Sequence, residues 1–151
     1  MDAGNIYFIP DFVFEDGGIS NKILIVICVD DVESVIINAL PTSQDKCIPV
    51  DEPSHGCTRN HVFSFFMFEN GRIVGEEIDG SDFAFRKNTF VIVRDNVRML
   101  KISSLLQYHG QGFKHIGCLA TTELNRLIKC IRGSKHLARN VKRKLETVLG
   151  E

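Results

Sequence analysis

Residues 21–44 read NKILIVICVDDVESVIINALPTSQ, and the fold is decided there. Residues 23–29 are an unbroken apolar run rich in β-branched side chains. Seven residues are too few for a helix and suit a buried strand. Asp30-Asp31-Val32-Glu33 is acidic and turn-like, and residues 34–40 supply a second apolar strand, interrupted by Asn38. Pro41 stops the ladder because it has no N–H to donate. The stretch therefore reads as a β-hairpin ending in a polar corner, Pro41-Thr42-Ser43-Gln44, with Lys22 at the mouth of the first strand. A cation and hydroxyls at neighbouring strand ends make the best candidate site in the chain.

On the N-terminal side, Phe12-Val13-Phe14 is a short strand, bounded by Pro10 and by Glu15-Asp16-Gly17-Gly18. The two glycines allow positive φ and predict a flexible loop. On the C-terminal side, residues 47–60 have no periodicity and read as a long surface loop. Residues 61–68, HVFSFFMF, are an aromatic strand followed by Asn70-Gly71. That pair favours a type I′ turn and predicts a hairpin onto residues 72–77. Residues 79–87 read as a loop, 88–93 as a core strand, and 97–102 as a short strand or 3₁₀ turn. Residues 107–117, with three glycines and two histidines, read as a connecting loop.

The chain then becomes helical. Leu124, Leu127, Ile128 and Ile131 share one helix face, with Thr121 or Thr122 as N-cap and Gly133 as the stop. Ser134 is expected to cap a second helix whose apolar stripe is Leu137, Val141, Leu145 and Val148. Strands followed by helices argue for an α+β fold. A small antiparallel barrel over residues 6–102, with two helices in 119–149, is the simplest arrangement, since closure leaves no exposed edges.

Length and composition set the outer bounds. The 151 residues suit one domain with a proper core, and 44% hydrophobic and 25% charged residues are ordinary for a globular chain. The net charge of −1 conceals an asymmetry. Residues 94–151 hold 12 Lys and Arg against 4 Asp and Glu, a net of +8, while residues 1–93 hold 6 against 15, a net of −9. Such a split fits either a nucleic-acid-facing surface or two solvated basic helices. The sequence has no secretory signal pattern, and no apolar run approaches the roughly 18 residues that span a bilayer. No membrane association is expected, and the cytoplasm is the expected location. The five cysteines are odd in number and irregularly spaced, with Cys28 and Cys130 at apolar positions, which predicts reduced, buried thiols rather than a disulfide framework.

Phosphate-cradling GxxxxGK[ST] and GxGxxG motifs are absent, as is the nucleophile elbow GxSxG. Cys47, His55, Cys57 and His61 are zinc ligands by type, but they lack the CxxC or HxxxH spacing of well-known sites. Neither a metal nor another cofactor is expected. His109 and His115 bracket a glycine-rich turn and could shuttle protons, although paired histidines in a loop are more often surface residues.

Lys22-Ile23-Leu24-Ile25-Val26-Ile27 and Ile36-Ile37-Asn38-Ala39-Leu40-Pro41-Thr42 together resemble the MazF/PemK family of toxin ribonucleases: a basic residue opening an apolar strand, a hairpin, and a second strand ending in threonine. Asn88-Thr89-Phe90-Val91-Ile92-Val93 is similar to the family's late core strand, Val97-Arg98 to the segment after it, and residues 119–132 to its terminal helix. The resemblance implies an SH3-like barrel and a homodimer. It also implies metal-independent cleavage of single-stranded RNA and silencing by an acidic antitoxin. It makes Lys22, Thr42 and Ser43 the candidate catalytic residues, and Gln44, Arg86, Lys87 and Arg98 the candidate RNA contacts.

The chain departs from the family pattern in several places. Lys22 stands where arginine is expected and Ile23 where proline is expected, region 47–80 is longer, and a second helix follows Gly133. A guanidinium holds phosphate through two parallel bonds, whereas an ammonium is a point charge. Lysine can steady a phosphorane, and when burial lowers its pKa it can serve as a base. The alternative readings are an inactive barrel that binds RNA through its aromatics and basic helices, or one that binds an acidic protein.

Overall fold

The structure is a computed structural model and describes residues 1–13, 16–43, 53–59, 63–107 and 112–150. Along the chain run β1 (Asn5–Val13), β2 (Ile19–Asp30), β3 (Val35–Ala39), β4 (Gly56–Arg59), β5 (Ser64–Phe68), β6 (Ile73–Glu77), β7 (Asp82–Ala84) and β8 (Thr89–Ile92). The short helix α1 (Val93–Asn96), β9 (Val97–Lys101), α2 (Ile102–Leu106), β10 (Lys114–Leu119), α3 (Thr121–Arg132) and α4 (Arg139–Leu149) follow. The fold is mixed α+β, with two antiparallel sheets. One has seven strands in the order β7-β6-β10-β1-β2-β3-β9, and the other has three, β4-β5-β8. None of the helices is long and apolar enough to cross a membrane, among the described residues.

The predicted hairpin is present as β2 and β3, with Ile25 opposite Ala39 and Asp30 opposite Val35. Its continuous apolar character has a direct cause. Ile25 and Ile27 pack with Ile37, Leu127 and Ile131 on the face covered by α3 and α4. Leu24 and Val26 pack with Tyr7, Ile9, Ile36, Leu40 and Leu105 on the other face. A strand covered on both faces loses the polar alternation of a half-exposed one. Asn38 is fully buried in this layer, its Nδ2 donating to Arg98 O at 3.3 Å. On the far side, Lys144 of α4 donates to Asp30 Oδ2 at 2.7 Å and to Glu33, fixing the helix to the β2–β3 turn.

Several expectations are corrected. Among the described residues the strands do not close into a barrel. The seven-stranded sheet ends at β7 and β9, and the small sheet meets it through the isolated Thr42–Phe90 bridge. Asn70-Gly71 does not form a hairpin, because β5 pairs with β4 and β8, whereas β6 pairs with β10 and β7. A type I′ turn needs positive φ at both central residues. Gly71 has φ 76° and Asn70 is not among the positive-φ residues. The turn is instead pinned to the β7–β8 connection, by Gly71 N to Phe85 O and Asn70 N to Asn88 Oδ1, and carries the chain from one sheet to the other.

Three stretches read as loop contain strands: β4, β7 and β10. β10 has little apolar alternation because Lys114, His115 and Cys118 are exposed and its buried positions are Gly117 and Leu119. A Cβ at Gly75 would lie 2.0 Å from the Cys118 carbonyl oxygen, so glycine permits the close approach of β6 and β10. β1 extends from Asn5, and the register shift between Ile9 and Phe12 absorbs Pro10. At the helices, Gly133 ends α3 as expected, but neither threonine caps it: Ala120 is the N-cap, and Leu124 N donates to its carbonyl. Ala138 rather than Ser134 precedes α4, and Ser134 Oγ accepts the His136 N–H in the connecting turn.

The cysteine expectation also changes. Cys28 is a buried free thiol as predicted, but Cys130 is joined to Cys57 in a disulfide with Cα atoms 5.6 Å apart. Their 73-residue separation gives no signal in the sequence, and β4 must be placed against α3 before the pair is seen.

Candidate functional site

The site is assembled where the hairpin meets the small sheet. Lys22 lies in β2 opposite Ile9 of β1. The chain leaves β3 with Leu40 N bonded to Asn96 O at 2.9 Å and Pro41 ending the ladder. Thr42 then exchanges two backbone bonds with Phe90 of β8, N to O at 2.9 Å and O from N at 2.7 Å. These bonds pull the polar corner across to the small sheet and leave Thr42 and Ser43 beside Thr89.

Between them is a pocket of about 280 Å³, lined by Ser20, Asn21, Lys22, Ile23, Pro41, Thr42, Ser43 and Thr89. Lys22 Nζ donates toward Pro41 O at 3.5 Å. The lysine is half-buried, and the loss of water around it pushes its pKa below the ordinary 10.5. The rim is held locally. Asn21 Oδ1 accepts the Asp11 N–H at 3.1 Å, Ser20 Oγ donates to Asn21 O at 3.3 Å, and Thr89 Oγ1 donates to Lys87 O at 2.9 Å. The lining joins a cation to hydroxyls and an amide, and among the described residues it has neither a carboxylate nor an imidazole. Such a set can hold an anionic oxygen and orient a hydroxyl.

The structure therefore brings Lys22, Thr42 and Ser43 together. Gln44 lies outside the described residues. Arg86 and Lys87 are exposed in the turn between β7 and β8, and the Lys87 carbonyl steadies Thr89. Arg98 is on β9 opposite Asn38, donates to Asp95 O at 3.3 Å, and does not line the pocket. Ser20, Asn21 and Thr89 were not identified in the sequence. They have no motif, and only the strand register places them beside Lys22 and Thr42.

Of the other candidates, His55, Cys57 and His115 have structural roles. His55 Nδ1 accepts the Glu69 N–H at 3.1 Å, so Nε2 carries the proton donated to Glu123 Oε1 at 2.7 Å. The disulfide occupies Cys57, while Cys47 and His61 lie outside the described residues, as does His109. No group of three or more metal-ligating side chains occurs among the described residues. His115 stacks on Tyr7, and its Nε2 bonds Gly117 O at 2.8 Å. No family model matches the chain, and neither does any curated protein or solved structure.

Proposed function

We propose that the chain is a MazF/PemK-like endoribonuclease that cleaves single-stranded RNA at the Lys22–Thr42–Ser43 pocket. The observation that supports this reading most is the convergence of Lys22, from within β2, and Thr42 and Ser43, from the segment after β3, on one small concave surface. In the proposed reaction the ribose 2′-oxygen attacks phosphorus, and the bond from phosphorus to the 5′-oxygen breaks. The 2′-hydroxyl proton passes to water and the departing 5′-oxygen takes a proton from water, leaving a cyclic phosphate and a 5′-hydroxyl. The Lys22 ammonium stabilises charge on the phosphorane, where a desolvated cation is worth more than one in water. Thr42 and Ser43 orient the reacting ribose and phosphate. The family's SH3-like barrel belongs to this proposal, with the two sheets joined at Thr42–Phe90 taken as its opened form. A homodimer and an acidic antitoxin belong to it as well, the latter supported by the positive balance of residues 94–151.

Cleavage of a panel of single-stranded RNAs tests the reading. Lys22→Ala should lower the rate by about 10²- to 10³-fold, the scale of losing one preorganised charge stabiliser. Thr42→Ala should lower it by about tenfold or more. Lys22→Arg should retain activity. RNAs left intact by the wild-type protein would end this reading. One observation favours a second reading, binding without cleavage: the described lining has no carboxylate or imidazole to accept the 2′-proton. In that case RNA affinity falls with salt and no product forms.

A further inference from the structure

A second concave surface lies on the outer strand of the small sheet. It is an open groove of about 540 Å³ between β4 and α3, lined by Arg59, Asn125, Ile128, Lys129, Arg132 and Gly133. Its walls are held together independently of any ligand. The Cys57–Cys130 disulfide crosses from β4 to α3, and the His55–Glu123 hydrogen bond ties the residue just before β4 to α3 about two turns nearer its start. The Arg59 guanidinium lies against Gly133, where a Cβ would stand 1.9 Å from Nη1. Gly133 has φ −81°, which any residue adopts, so the glycine serves to make room for the guanidinium.

Among the described residues the charge in this groove is one-sided: its lining contains three cations and no carboxylate. Glu123, the acidic residue of α3, is already engaged by His55 and by Arg126 at 3.3 Å. Among the described residues, Arg59 and Lys129 are in no ion pair. Arg132 is aimed by its bond to Gly150 O at 3.0 Å. Lys129 and Arg132 stand in the last turn of α3, where the helix dipole favours cations. Arg59 comes from another element, and its guanidinium, against the C-cap Gly133, meets the same end of the dipole. Fork-shaped donors above an apolar floor, Ile128, fit oxygen acceptors spaced along a chain.

We infer that this groove is a binding track for the phosphodiester backbone of single-stranded RNA, extending the strand held at the Lys22 pocket. The choice of RNA over another polyanion rests on the function proposed above. Thr89 pairs with Phe68, and Arg59 with Ser64, so pocket and groove lie at opposite corners of the small sheet. By strand geometry they are roughly 15–20 Å apart, a span that a short oligonucleotide covers.

The test uses the full chain and a short oligouridylate carrying 2′-O-methyl groups, which cannot be cleaved through the 2′-hydroxyl. Its affinity is measured by fluorescence anisotropy across a salt series. Arg59→Gln with Lys129→Gln should weaken binding by about tenfold or more and make the log–log salt slope shallower by about 1.4, as expected for two lost contacts on a single strand. Gly133→Ala keeps every charge but displaces the guanidinium, and should weaken binding several-fold while circular dichroism stays unchanged. Wild-type affinity and slope in the double variant would overturn the inference. So would absence of binding by the wild-type protein at low salt, or loss of poly-glutamate affinity without loss of RNA affinity. Cleavage is scored separately on unmodified RNA. A protein that binds through the groove and does not cleave disproves the nuclease reading and leaves the track standing.

Discussion

At the scale of single residues, the question is which protonation state of Lys22 acts. Burial lowers its pKa from 10.5, which makes both the cation and the neutral amine accessible at alkaline pH. The two roles give opposite signs. If the ammonium stabilises charge, cleavage falls as pH rises through the lowered pKa, and Lys22→Arg removes that fall because guanidinium stays charged. If the amine is the base, cleavage rises through the same range and Lys22→Arg is inactive. We expect the first pattern, read from rate–pH profiles of wild type and Lys22→Arg. The residue was legible in the sequence as a cation opening an apolar strand. Thr89, which lines the same pocket, was not, because a threonine at the head of a core strand looks like β propensity until the register is known.

At the scale of elements, close approach and ion pairing set the placement of strands and helices. Gly75→Ala puts a methyl group into the Cys118 carbonyl. It should destabilise the protein by about 2–3 kcal/mol, measured by urea unfolding, as overpacking between backbones does. Lys144 ties α4 to the hairpin turn. Its hydrogen bond holds Asp30 below the usual carboxylate value of 3.8 and is also the main cause raising the Lys144 pKa. A depressed carboxylate contributes stability that is present above its unfolded value and lost as pH falls through the folded one. Lys144→Met should therefore lower Tm by a few degrees near neutrality and lose that deficit toward pH 3, when thermal melts are compared across pH. The long apolar strands and the two amphipathic helices were readable because their packing imposes a period on the sequence. β4, β7 and β10 were not, because β4 and β7 are short edge strands and β10 buries only Gly117 and Leu119. The Asn-Gly turn misled for a related reason: its preference is local, whereas the sheet that β6 joins is set by β10.

At the scale of the whole molecule, the Cys57–Cys130 bond closes a 73-residue separation and links the small sheet to α3. Reduction, or Cys57→Ala with Cys130→Ala, should cost about 2–5 kcal/mol, read as a shift of the denaturant midpoint. Equal midpoints with and without reductant would show that packing alone holds β4. Such bonds are rare in reducing compartments, so intact mass under non-reducing conditions, measured directly on protein from cells, bears on the expected cytoplasmic location. The order of strands in the large sheet has a further consequence, for synthesis. β1 sits between β2 and β10, with Asn5 opposite Cys118. A chain emerging from the ribosome makes the β1–β2 hairpin early, yet one edge of β1 waits for the last of the described strands to appear. Late pairing of this kind slows folding. Until β10 arrives the nascent chain carries an open edge that a chaperone, or a binding partner already present, can reach first.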